Sequence, residues 1–188
     1  IDWSMNVTEL RNGTIDLLWN GYSITPERKK KVAFSKPYLR NSQVLVVKKG
    51  SNINSFTQMK NHALGMQTGS TAEQWYESKQ NILHSKDKVL YDTIANSFLD
   101  LNAGRIQGIL LDDVYANYYI SHMANKKEYK IIKDPRVPTD LFAVGIRKGD
   151  KTLKRKINKG LDRLQANGKL ASLNKKWFGK NNSYLRGD

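Results

Sequence analysis

The sequence predicts an α/β fold. Short apolar runs alternate with amphipathic stretches along the chain, these stretches open and close on capping residues and glycines, and no repeat or low-complexity segment interrupts the alternation. With 188 residues and 39% hydrophobic content, the chain can bury a core as one large domain or as two small lobes.

The apolar runs predict strands over 15–19, 44–48, 63–66, 89–91, 106–111, 129–132 and 142–147. Between them, a short helix over 4–12 closes at Gly13, and Thr25 is an N-cap followed by Pro26 at the first helical position. Ser70 or Thr71 opens a helix that reaches 78. A helix over 93–103 places Ile94, Phe98 and Leu101 on one face and stops at Gly104. Asp112 and Asp113 open a helix to 123. The stretch 151–166 spaces Leu153, Ile157, Leu161 and Leu164 for burial and ends at Gly168, after which a last short helix carries Leu173 and Trp177-Phe178. Ile1-Asp2-Trp3 reads as the end of a strand with nothing before it, so the chain is expected to be truncated.

Composition narrows the function. No run of 18 apolar residues offers a membrane-spanning helix, and Ile1 begins polar, mixed sequence without a signal-peptide pattern. Cysteine is absent, which removes disulfides, thiolate nucleophiles and cysteine zinc sites. A net charge of +15 raises a polyanionic partner. The basic residues, however, are scattered as Lys29-Lys30-Lys31, Lys48-Lys49, Lys126-Lys127, Lys154 to Lys159 and Lys175-Lys176, without the glycine–aromatic interleaving of RNA binders. They read as a solvated surface that faces a cell wall or lipid headgroups, and nucleic acid is not expected as a partner.

Catalytic templates are missing. There is no Gly-x-Ser-x-Gly, no phosphate-cradling glycine loop and no His-Glu-x-x-His. His62, His84 and His122 are far apart and read as surface residues, so no metal, cofactor or catalytic residue is expected.

Three constellations are left, each following a strand. In Asn20 to Arg28, Gly21 exposes backbone groups to a close visitor, and Arg28 on a first helical turn offers the planar fork that grips a carboxylate. The plainer reading is an ordinary turn with a solvated arginine. In Gln67-Thr68-Gly69-Ser70-Thr71, small residues entering a helix form an anion seat, or simply a cap. In Leu110-Leu111-Asp112 a carboxylate emerges from the carboxyl end of an apolar strand, where ligands of open α/β sheets sit, or else it caps the next helix. Together they supply two grips for a carboxylate and one acceptor for an ammonium, as a buried amino-acid zwitterion requires.

At these residues the sequence resembles the polar amino-acid family of bacterial ABC-transporter solute-binding proteins. The resemblance rests on Asn12 to Asp16, on Gly21-Tyr22-Ser23-Ile24-Thr25-Pro26-Glu27-Arg28 continuing into Val32 to Tyr38, and on Gln67 to Thr71. It extends to Asn102-Ala103-Gly104-Arg105, Asp112, Gly145 to Asp150 and Lys175 to Gly179. It implies a two-lobe periplasmic-binding-protein-like fold with two crossover strands near 40–43 and 138–142, closing on the ligand by a hinge. Residues 1–40 and 140–188 would form the first lobe and 43–137 the second. Family members carry a strand, a contacting loop, a helix and another strand before the position of Ile1, so the first lobe is expected to lack its N-terminal portion and to leave a strand edge unpaired.

By the same resemblance, Arg28 holds the α-carboxylate with Ser70 and Thr71. Asp112 takes the α-ammonium with the Gly21 carbonyl and the Ser23 hydroxyl, and Trp3 packs along the ligand side chain. The implied partners are a free polar L-amino acid and a membrane permease, in an extracellular or periplasmic setting. A membrane is reached only through a lipid anchor outside these residues. The alternatives are the ligand-sensing domain of a receptor and a cyclohexadienyl-dehydratase-like enzyme on the same fold.

Overall fold

Four consecutive side chains, Val44 to Val47, are fully buried. Side chains alternate across a strand, so burial of all four means that this strand is covered on both faces. A computed structural model describes residues 1–79, 81–179 and 183–184. In chain order its elements are α1 (Asn6–Asn12), β1 (Leu17–Leu18), α2 (Pro26–Lys31), β2 (Ala33–Phe34), β3 (Leu39–Asn41), β4 (Gln43–Lys48), β5 (Ala63–Gln67), α3 (Thr71–Ser78) and β6 (Asp87–Tyr91). They continue with α4 (Ile94–Asn102), β7 (Gly108–Asp112), α5 (Asp113–Ser121), β8 (Tyr129–Ile132), β9 (Asp140–Phe142), β10 (Gly145–Ile146), α6 (Lys151–Ala166) and α7 (Lys169–Phe178). Short 3-10 turns cover Trp3–Met5, Phe56–Asn61 and Lys126–Glu128. The chain divides into two units, one of Ile1–Asn41 with Thr139–Asp188, the other of Ser42–Pro138.

The second unit is a five-stranded sheet in the order β6-β5-β7-β4-β8, with β5 parallel to β6 and β7, and β4 antiparallel to β7 and β8. Val44 and Val46 join Phe98, Leu101, Ala116 and Ile120 under α4 and α5. Leu45 and Val47 join Phe56, Met59, Leu64 and Tyr76 under α3 and the 3-10 turn. The β4 side chains thus feed two separate cores, one on each face of the sheet.

The first unit holds a three-stranded antiparallel sheet, β1-β10-β2, and the antiparallel pair β3-β9. Its core gathers Leu10, Leu18, Tyr22, Val32, Phe34 and Ala143, with Trp3 and Val7 packed against it. Gly13 closes α1 in the left-handed region at φ 82°, where its N–H bonds the Glu9 carbonyl.

Two departures from the sequence reading have local causes. The run 142–147 is two strands, because the Ala143 N–H bonds the Tyr22 carbonyl at 3.1 Å and the Val144 N–H bonds the Ser35 hydroxyl at 2.9 Å. Those donors leave the ladder, and β9 and β10 pair with different partners. The run 15–19 keeps only Leu17 and Leu18 as strand, since β10 offers just two residues for pairing.

Candidate functional site

The first unit brings Arg28, Ser23 and Trp3 together around Tyr22. Thr25 caps α2, its hydroxyl accepting from the Arg28 N–H at 3.1 Å, and Pro26 sets the first turn. This fixes the backbone from which the Arg28 side chain starts. Its guanidinium carbon lies 4.3 Å from the Tyr22 ring centroid and 5.9 Å from that of Trp3, and Nη1 donates to the Ser23 carbonyl at 3.1 Å. Arg28 is only 7% exposed. A guanidinium over an aromatic face is attracted by the ring quadrupole, and its planar fork of donors suits a planar acceptor. Trp3 stands edge-on to Tyr22, with ring centroids 5.8 Å apart.

Ser23 is fully buried because Tyr22 to Ile24 is laced to β9: the Ile24 N–H bonds the Leu141 carbonyl, and Ser23 bridges Phe142. Its hydroxyl donates to Asp140 Oδ2 at 2.6 Å. Burial pushes the Asp140 carboxyl above the usual carboxylate range, while the Ser23 and Asn41 side chains and the Arg28 charge pull it back. Burial likewise raises the Tyr22 phenol against the opposing Arg28 charge. Gly21 lies on the exposed turn before this lacing, and its φ is not positive.

The second unit groups Asp112, Thr71 and Ser70. Asp112 ends β7, and its side chain makes no cap bond to α5, so the capping explanation for it fails. Its Oδ1 accepts instead from Gln43 Nε2 at 2.8 Å, and the same nitrogen lies 3.4 Å from Thr71 Oγ1. Gln43 is 5% exposed and pairs in register with Asp112. Ser70 does cap: its hydroxyl accepts from the Glu73 N–H at 3.2 Å, and Glu73 returns to accept from the Gly69 N–H at 2.7 Å. The neighbouring Asp113 is a separate structural group, buried and paired with Lys133 at 2.7 Å.

Sequence reasoning missed Gln43, Tyr22 and Asp140. Gln43 carried a signal: it continues the buried face of Leu45 and Val47 by one more step of two, so a polar side chain there needs a polar partner. A cleft of about 520 Å³ near Gly50, Ile53, His62 and Gln107 is lined by none of the candidate residues. No group of three or more acidic or histidine side chains is arranged for a metal among the described residues.

Residues 1–180 match the family described as bacterial extracellular solute-binding proteins, family 3. The chain belongs to that family. This solute-binding protein is 30% identical over 178 residues to the ABC transporter arginine-binding protein 1 of Escherichia coli K12, covering 92% of this chain and 70% of that one. It is 30% identical to the arginine-binding extracellular protein ArtP of Bacillus subtilis 168, covering 95% and 69%. A solved ABC uptake transporter substrate-binding protein from Streptococcus pneumoniae, with bound histidine, superposes at a TM-score of 0.88 with 42% identity, over 98% of this chain and 76% of that one. Such relatives are binding proteins, and this family member is a binding protein, not an enzyme.

Proposed function

We propose that this solute-binding protein takes up a free polar L-amino acid outside the cell and delivers it to the membrane permease of an ABC importer. The observation that carries the reading is Arg28: a guanidinium 7% exposed, seated on Tyr22 and steered by Ser23, is built for a carboxylate. Asp112, held by Gln43, supplies the opposite charge for the ammonium. Thr71 and Ser70 assist at the carboxylate, the Gly21 carbonyl at the ammonium, and Trp3 lies along the ligand side chain. Ser23, fully buried with its hydroxyl given to Asp140, serves by holding Arg28 through its carbonyl. Neutralising both ends of a zwitterion offsets the desolvation that burying either charge alone would cost. Relatives named for arginine and a neighbour holding histidine make these two the first ligands to try. Calorimetric titration with L-amino acids, their D-enantiomers and their α-methyl esters tests the reading. Binding of one or a few polar L-amino acids is expected, with loss for the esters. Esters bound as tightly as free acids would overturn the role of Arg28.

A further inference from the structure

The positive charge is unevenly placed. Residues 1–41 and 139–188 carry 20 Lys and Arg against 8 Asp and Glu, whereas 42–138 carry 12 against 9. Much of the excess stands on α6 and α7, whose nine cations accompany a single acid, Asp162. All nine are exposed, and within the described residues none enters an ion pair, while Asp162 is occupied by Lys36 at 2.7 Å.

Helical spacing sorts these charges. On α6, Leu153, Ile157, Leu161 and Leu164 form the inward stripe, with Leu161 buried to 1% exposure. At 100° per residue, Lys151, Arg155, Lys156, Lys159 and Arg163 fall within an arc of about 140° on the opposite side. On α7, Leu170, Leu173, Asn174 and Trp177 follow the spacing of one stripe: Leu170 and Asn174 are its buried part, Leu173 and Trp177 its exposed margin, and Lys169 and Lys176 border that margin. Leu173 is 36% and Trp177 45% exposed, and Lys176 Nζ lies 5.0 Å from the Trp177 ring. A one-signed face repels itself, and structure alone does not call for it. An anionic surface offsets that repulsion. Exposed tryptophan and leucine among ammonium groups match the boundary between lipid headgroups and acyl chains better than a water-soluble phosphate polymer.

We propose that the cationic face of α6 and the exposed margin of α7 formed by Lys169, Leu173, Lys176 and Trp177 dock this protein on an anionic phospholipid surface. The proposal is independent of amino-acid binding, since none of these residues belongs to the groups around Arg28 or Asp112. Docking of this kind holds the protein near the membrane by many weak contacts and leaves it free to slide, each basic residue strengthening partition about fivefold.

The test is sedimentation of the full chain with vesicles of phosphatidylcholine alone or with about 30 mol% phosphatidylglycerol, at low and high salt. Binding is expected only with the anionic lipid and should fade as salt rises. The triple variant K151Q/R155Q/K159Q should lose roughly a hundredfold in partition. The triple variant K60Q/K126Q/K127Q, which removes the same charge from exposed positions of the other unit, should lose far less. W177A should weaken vesicle binding and leave binding to soluble polyphosphate unchanged. All are surface changes, and an unaltered circular dichroism spectrum verifies the fold. Equal loss in the two triple variants, binding without dependence on the anionic lipid, or no effect of W177A on vesicles would each overturn the proposal, the last in favour of a phosphate polymer.

Discussion

Gln43 and Asp112 stand opposite each other at the first residue of β4 and the last of β7, and the Gln43 amide donates to the Asp112 carboxylate at 2.8 Å. The bond fixes the rotamer of a charged group that would otherwise swing at a strand end. Gln43→Leu should therefore weaken amino-acid binding by about 1–2 kcal/mol. In an Asp112→Asn background the same change should cost much less, because the two act as a pair. A double-mutant cycle by calorimetry reads the coupling, and additive losses would separate the residues.

Arg28→Ala should lower affinity by about 2–5 kcal/mol, since it leaves a desolvated carboxylate without its fork. Arg28→Lys keeps the charge but loses the planar donors and the stacking on Tyr22, so it should restore only part of the binding. An affinity change below about threefold in the alanine variant would remove Arg28 from the site.

Gly145 leaves room for Tyr22: a Cβ there would sit 2.8 Å from Tyr22 Cε1 and 3.2 Å from Leu18 Cβ. Gly145→Ala should destabilise the first unit by about 1–3 kcal/mol and, by shifting the ring under Arg28, weaken ligand binding as well. Urea denaturation measures the first effect and titration the second. Gly160→Ala has nothing within 4 Å of the added methyl and lies inside α6, so it should stabilise by about 0.5–1 kcal/mol and move the urea midpoint the opposite way.

Burial raises the Asp140 carboxyl, so the folded chain holds that proton to higher pH than the unfolded chain. Between the ordinary carboxylate value and the raised one, folding binds a proton, and this contribution to stability falls as pH rises. Asp100, Glu128 and Asp134 are lowered by their partners and act with the opposite sign, losing their contribution as pH falls. Asp140→Asn removes only the first effect. The difference in urea midpoint between variant and parent should therefore grow in the variant's favour as pH rises above the ordinary carboxylate value. A constant difference would show that Asp140 is not held protonated by its surroundings.

Much of this was legible in the sequence where the signal is local. The α6 range follows from its apolar spacing, and the Thr25-Pro26 start of α2 from capping chemistry. The strands β2 and β3 were not legible, since two or three residues cannot display a period. Arg28 and Asp112 stood out by residue type and by following a strand. Gln43 and Asp140 did not, because their partners lie 69 and 117 positions away and only the strand register brings them together. Tyr22 reads as an ordinary core aromatic until the guanidinium on its face is seen.

In the first unit β1 and β2 each pair with β10 and not with each other. During synthesis both must wait for Gly145 and Ile146, and the whole of 42–138 emerges first. At about 5–20 residues per second that interval is on the order of ten seconds, long enough for the β4–β8 sheet to form while Leu17, Leu18 and Phe34 still lack their pairing strand. Holding factors and proteases should therefore find residues 1–41 the most accessible part of the nascent chain.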